Sequence, residues 1–186
     1  MNSENLSHET LGTDLLAALN TTKYPLETLG PYWLERLRTI RPASWYPVDT
    51  LLELQGQLVR HGGNAALVQM GRQVFRDSHL ERLMPTLRSA GDVLFALDAM
   101  YRFANRGKNI GGWEVLRFGP GHATLRKSTP QHCALDEGFL YEALRAVDAE
   151  ALIVQQACTL RGAPWCELEL CSPVRGVRWM GEHPLK

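Results

Sequence analysis

No stretch of this sequence approaches the roughly 20 consecutive apolar residues that a membrane-spanning helix needs. Its most apolar segments, such as DVLFALDAMY, are short and carry charges, so membrane insertion is not expected. The opening residues, MNSENLSHET, lack the basic region followed by an apolar one that marks a secretory signal. The cytoplasm is the expected compartment, and there cysteines serve as thiols or metal ligands more often than as disulfides. Excess charge is missing too. Twenty Lys and Arg balance twenty Asp and Glu, so no global field exists to gather nucleic acid or an acidic surface. The catalytic signatures Gly-x-Ser-x-Gly, the P-loop, Gly-x-Gly-x-x-Gly after a strand and His-Glu-x-x-His are all absent. Asp136 and Glu137 are adjacent carboxylates, but they stand where a helix starts, and there they favour its dipole. A non-enzymatic protein is the leading expectation.

What is present fits one domain. The chain has 186 residues, 45% of them hydrophobic and 22% charged, enough for a core of normal size. Residues 1–45 read as an N-terminal extension, disordered over about the first ten residues. Within it GTDLLAALN suggests a short helix or docking segment, and PYWLERLRTI a helix with Pro31 at its start. Three stronger helical patterns follow. The first runs from Pro47 and stops at Gly62. The second is capped by Asn64 and carries Leu67, Met70, Gly71 and Val74 on one face. Gly71 inside a helix costs about 1 kcal/mol relative to Ala, which a close approach by another element would explain. The third is capped by Ser89, carries Val93, Leu97, Met100 and Ala104, and ends at Asn105-Arg106-Gly107.

The period then changes from helical to alternating. Residues 111–128 alternate on both sides of Gly119-Pro120-Gly121, which reads as a β-hairpin. EGFLYEALRAV is a short amphipathic helix, and EALIVQQACTLRGAPWCELEL a second hairpin. Residues 172–186 form a tail in which Trp179 and Met180 either dock or stay loose. Helices before an antiparallel sheet indicate an α+β fold: N-terminal helices packed on a sheet of two hairpins joined by a short helix.

A turn centred on Gly162 places Cys158 opposite Cys166. The same register puts Leu152, Val154, Leu168 and Leu170 on the face of the two cysteines and Gln155 on the other. Two buried thiols, two ligands of a structural zinc that needs four donors, and a cross-strand disulfide all remain open.

Residues 133–170, CALDEGFLYEALRAVDAEALIVQQACTLRGAPWCELEL, carry a further pattern. It is Cys, four residues, Gly-aromatic, a short helix, a strand leading to Cys, then Gly and Cys at four-residue steps, and a last strand. This resembles the 4-vinyl reductase domain, whose superfamily includes haem-NO-binding domains and TRAPP transport subunits. The likeness covers residues 48–171, so the domain is bounded at 46–171. It implies a homodimer formed through the helices and an apolar pocket between helices and sheet. It also implies zinc held by three cysteines and a glutamate. Cys133, Cys158 and Cys166 stand at the cysteine positions, and Gln155 stands where the glutamate is expected, with His132 nearby. Haem is the other cofactor to consider, through His79 or His122, although the Tyr-x-Ser-x-Arg porphyrin clamp of the haem-binding relatives is absent.

Phe75, Phe95, Met100, Tyr101, Phe103, Trp113 and Phe139 lie in the segments that surround the pocket in that family. Tyr101 and Trp113 bring polar handles; Met100, Phe103 and Phe139 complete the expected ligand site. The expected function is a sensor or carrier for an apolar or aromatic small molecule, acting through a downstream regulatory protein. The alternatives are a dimeric adaptor without a ligand and a tetrapyrrole-binding protein.

Overall fold

Two glycines set how the principal helices meet. The structure, a computed structural model that describes residues 7–83 and 86–183, crosses α3 (Val48–Phe75) and α6 (Cys133–Arg145) at Gly71 and Gly138. A Cβ on Gly71 would overlap the Leu135 carbonyl of α6, and a Cβ on Gly138 would overlap the Val68 carbonyl of α3. Backbone therefore lies against backbone, which is the close approach that Gly71 suggests from sequence. The axis of α3 breaks at Gly63, whose φ of +62° is accessible to glycine at little cost. The break falls between the Gly62 stop and the Asn64 cap read from the sequence. Helix α3 then runs into a π-helical turn, Arg76–Leu80, and the single turn α4 (Glu81–Leu83).

The fold is α+β, as expected. Helix α5 (Ala90–Ala104) starts at Ser89, whose Oγ accepts the Asp92 N–H at 3.1 Å. Strands β4 (Trp113–Gly119) and β5 (His122–Lys127) form the first hairpin, and β6 (Leu152–Ala157) and β7 (Cys166–Cys171) the second. All pair antiparallel in the order β4-β5-β7-β6. One core fills the space between this sheet, α5 and α6, around Phe75, Phe118 and Leu140.

The N-terminal region differs from the sequence reading. Residues 1–6 lie outside the described residues. From residue 9 the chain forms β1 (Glu9–Leu11), α1 (Gly12–Thr21), α2 (Pro25–Arg38) and β2 (Trp45–Pro47). β1 is the central strand of a second sheet, in the order β2-β1-β3, with β3 at Asn105–Arg106. Leu15, Leu29 and Leu37 enter a second core with Leu51, Leu54 and Leu58 of α3. This segment is therefore part of the fold rather than an appendage, because α3 is apolar on a face that α6 leaves uncovered. The C-terminal tail also docks. Trp179 of α7 (Val177–Met180) is fully buried and donates its indole N–H to the Gly119 carbonyl at 2.8 Å.

Strand β6 holds a second departure. Its register with β7 shifts by one residue between Gln155 and Ala157, a β-bulge that places one extra residue in β6. Ile153 and Gln155 consequently pair with Leu170 and Leu168 and turn inward. Leu152 and Val154, expected inside, are 64% and 39% exposed. Past the bulge the phase is restored, and Cys158 and Cys166 are both buried.

Candidate functional site

Two features meet at the first turns of α6. One is a cavity of about 50 Å³ between helices and sheet. The other is a cluster of three thiols. Helix α6 begins at Cys133, four residues earlier than the amphipathic pattern suggests, with His132 as its cap; His132 Nδ1 accepts the Ala134 N–H at 3.1 Å. Cys133, Asp136 and Phe139 follow at intervals of three, so they share one side of the helix.

The cavity is mostly apolar, with Leu97, Met100, Trp113 and Phe139 on its walls. Its volume suits about four water molecules or a ligand of a few heavy atoms. Several polar groups face it. His79, from the π-helical turn, is 2% exposed, and its Nδ1 has no partner among the described residues. The ring stacks on Phe75 and meets Phe139 and Phe103 edge-on at 5.3 and 5.9 Å. Burial, aided by Arg82, lowers its pKa to about 4, so the imidazole is neutral near pH 7. Gln131 donates to Asn105 Oδ1 at 3.1 Å, while its own Oε1 is buried without a partner. Asp14, from α1, is fully buried. Burial raises its pKa to about 7 even though the Ser78 and Thr10 hydroxyls donate to it.

Of the residues expected to form the ligand site, Met100, Tyr101, Trp113 and Phe139 line the cavity. Phe103 lies outside its lining; it is 39% exposed beneath the Arg82 guanidinium. The Tyr101 hydroxyl is engaged, donating to the Ile110 carbonyl at 2.5 Å, and burial raises its pKa. Trp113 also forms a wall of an outer groove of about 440 Å³ that Trp165 and Arg126 border. Asp14 was not legible from the sequence because it lies in the segment read as an extension. Its signal, one acid in the apolar run LLAAL and its flank, is faint.

The thiol cluster joins α6 to the second hairpin. Cys133 Sγ lies 3.1 Å from Cys166 Sγ and 3.8 Å from Cys158 Sγ, and the three sulfurs lie within 4.8 Å of one another. These are thiol contacts; a disulfide bond is about 2.05 Å, and all four cysteines are free. Cys171 is exposed and apart from the cluster. Tetrahedral zinc, with Zn–S bonds of about 2.3 Å, holds its sulfurs roughly 3.8 Å apart, so this triangle suits such an ion after small adjustment. The surroundings of Cys166 suit thiolate. Burial opposes ionisation of Cys166, but the Thr159 hydroxyl and N–H, at 3.5 and 3.3 Å, bring its pKa below the ordinary value. Burial pushes the Cys133 thiol up. Gln155, expected to face away, is turned to the inner face by the bulge, and its Nε2 is buried without a partner.

Haem does not fit the cavity. His79 offers a neutral imidazole there, but 50 Å³ is far below the volume of a porphyrin. Lys127, whose partner Asp136 lines the cavity, is engaged with that carboxylate. His122 is exposed at the β4–β5 turn.

No family model matches this sequence, and no curated protein matches it. Solved structures do match in fold. An H-NOX protein from S. oneidensis in the Fe(II) ligation state superposes with a TM-score of 0.67 at 14% identity, covering 90% of this chain and 99% of its own. The Fe(II) unliganded H-NOX protein from K. algicida gives 0.69 at 10% identity, covering 89% and 98%. An oxygen-binding H-NOX domain related to soluble guanylate cyclases, in its oxygen complex, gives 0.63 at 9%, covering 88% and 93%. The chain has the H-NOX fold, and no described helix is long and apolar enough to cross a membrane.

Proposed function

We propose that this protein is a non-enzymatic small-molecule sensor whose ligand occupies the cavity between α3, α5, α6 and β4. The observation that carries this reading is the pair of buried, unpartnered polar atoms, His79 Nδ1 and Gln131 Oε1, on the walls of one apolar cavity. An unpaired buried polar atom costs about 1–3 kcal/mol, and a ligand that hydrogen-bonds to these atoms removes that cost. Apolar walls with a few convergent polar groups are the usual make-up of a small-molecule site. The structural neighbours include H-NOX proteins in the Fe(II) and Fe(II)NO ligation states and in an oxygen complex. Here the protein's own side chains, rather than a haem, meet the ligand. A ligand of the size of a benzene ring requires Trp113 to swing toward the outer groove that it also borders.

The resemblance to the 4-vinyl reductase domain supports a second element of the reading. Cys133, Cys158 and Cys166 hold a structural divalent ion, zinc by the softness of the donors. The ion locks the start of α6 to the second hairpin. The signal passes to a protein partner, and the chain acts as a homodimer.

The first test is native mass spectrometry of the chain as purified, followed by calorimetric titration with indole and with phenol. Binding that weakens in His79→Ala and Gln131→Ala, and not in Phe95→Ala, supports the sensor. Absence of any bound organic mass together with no heat from either probe leaves the adaptor reading in its place. Haemin addition is expected to give no His79-dependent Soret band; such a band would restore the tetrapyrrole reading.

A further inference from the structure

Lys127 is buried, with its side chain fully covered. A buried ammonium persists only where other groups meet its charge. Lys127 stands on β5 directly across from Cys166 of β7, so the two side chains share the face of the sheet that holds the thiols. Its Nζ donates to the Gln131 carbonyl at 2.6 Å and to the Asp136 carboxylate. Asp136 sits three residues beyond Cys133 on the first turn of α6. The ammonium is thus bound to a carboxylate on the cavity wall, and its side chain rises from the same sheet face as Cys166.

We propose that Lys127 is the counter-charge of a metal ion held by Cys133, Cys158 and Cys166, and that Asp136 acts against that ion through the same lysine. The proposal rests on the metal reading of the thiol cluster given above. A divalent ion with three thiolates carries one net negative charge, which Lys127 offsets and an ionised Asp136 restores. Gln155 adds nothing to this sum, because an amide is neutral. A carboxylate in its place would leave a second negative charge that one lysine does not cancel. The amide at residue 155 and the buried lysine at residue 127 are thus two parts of one charge balance. Asp136 supplies a negative charge at the same lysine and competes with the metal–thiolate group for it. Removing the lysine therefore weakens metal binding, and removing the charge of the aspartate strengthens it. Lys127 is a positioning residue; it touches no metal.

The test is competition titration of the reduced, metal-free full chain with zinc against a chromophoric chelator. Cobalt(II) serves as a second ion, since its thiolate charge-transfer bands report the number of sulfur ligands. The native chain is expected to bind one ion. Lys127→Met is expected to raise the dissociation constant about tenfold or more, since a unit charge a few ångströms away acts at that scale even when well screened. Lys127→Arg should restore binding to within about threefold. Asp136→Asn should lower the constant severalfold. Both variants break the same ion pair, so general loosening would move them in the same direction, whereas the charge balance moves them in opposite ones. Changes of the same sign, or no change in either, overturn the proposal. Failure of the native chain to bind zinc or cobalt overturns the metal reading itself and the proposal with it. If Lys127→Met does not fold, Asp136→Asn decides by its sign: tightening supports the proposal, and weakening or no change overturns it.

Discussion

Cys133 and Asp136 are three residues apart on α6, yet they look onto two different regions. Around Cys133, three donors of one kind converge from α6 and from both ends of one hairpin. Around Asp136, the cavity draws on residues from Asp14 to Phe139, and its polar atoms are of different kinds, with two of them unpaired. The cluster is complete before any ligand arrives and is selective by softness. The cavity is selective by volume and by a few hydrogen bonds. A site of identical donors from nearby segments can be assembled by one helix start and one turn, whereas a site of mixed donors needs most of the chain in place. The two regions also differ in what protects them. The cluster is held by the hairpin and the first turn of α6, and the cavity by the crossing of α3 and α6 together with the N-terminal segment.

Four changes break or sharpen this contrast, from the largest effect down. Gly71→Leu is expected to collapse both regions together, because the side chain has no room against the Leu135 carbonyl. A loss above about 4 kcal/mol in chemical denaturation is expected, and a loss under about 1 kcal/mol would show that the helix crossing is not what holds them. Asp14→Asn comes next and touches the cavity alone. The folded pKa of Asp14, about 7 against an ordinary 3.8, lies above the unfolded one. The native state therefore binds the proton more tightly. Its contribution is complete below about pH 4 and is lost as pH rises through 7, on the order of 4 kcal/mol. Asp14→Asn should abolish that loss, read from denaturation midpoints between pH 4 and 8.

His79 works in the opposite direction. Its folded pKa, about 4 against 6.5, lies below the unfolded one, so its contribution is complete above about pH 6.5. It is lost as pH falls toward 4, about 3 kcal/mol. The native chain should show a shallow pH profile, with His79→Phe exposing the Asp14 slope and Asp14→Asn exposing the His79 slope. Two variant profiles parallel to the native one would refute this opposition. The smallest effect is expected at Trp165, which is 40% exposed in the outer groove. Trp165→Ala should leave stability within about 0.5 kcal/mol and metal stoichiometry unchanged, while a planar probe entering past Trp113 binds more weakly.

The same contrast explains what could be read without the structure. Local chemistry was legible. Ser89 caps α5, Gly119-Pro120-Gly121 turns the first hairpin, and the glycine at residue 71 marks the helix crossing. The convergence of Cys158 and Cys166 could be read from one turn. Gln155 could not, because a bulge of one residue reverses the face of everything before it and leaves no compositional mark. The π-helical turn that aims His79 inward is equally silent, since it widens the helix without altering the residue types it uses. The N-terminal segment was misplaced for another reason. Its three prolines and short apolar runs resemble a linker, and its burial depends on a face of α3 that only the assembled helices define.

The position of β1 has a consequence for how the protein is made. Glu9 and Thr10 are synthesised before both of their partners, for β1 is the middle strand of its sheet, paired with Trp45–Pro47 on one side and Asn105–Arg106 on the other. At roughly 5–20 residues per second, synthesis reaches the second partner about ten seconds after β1 itself. Until then one edge of the earliest strand is open, and Asp14 beside it waits for Ser78 and for the cavity walls. The growing chain thus passes through an interval in which residues 9–21 are made but wait for the partners that complete their sheet and core.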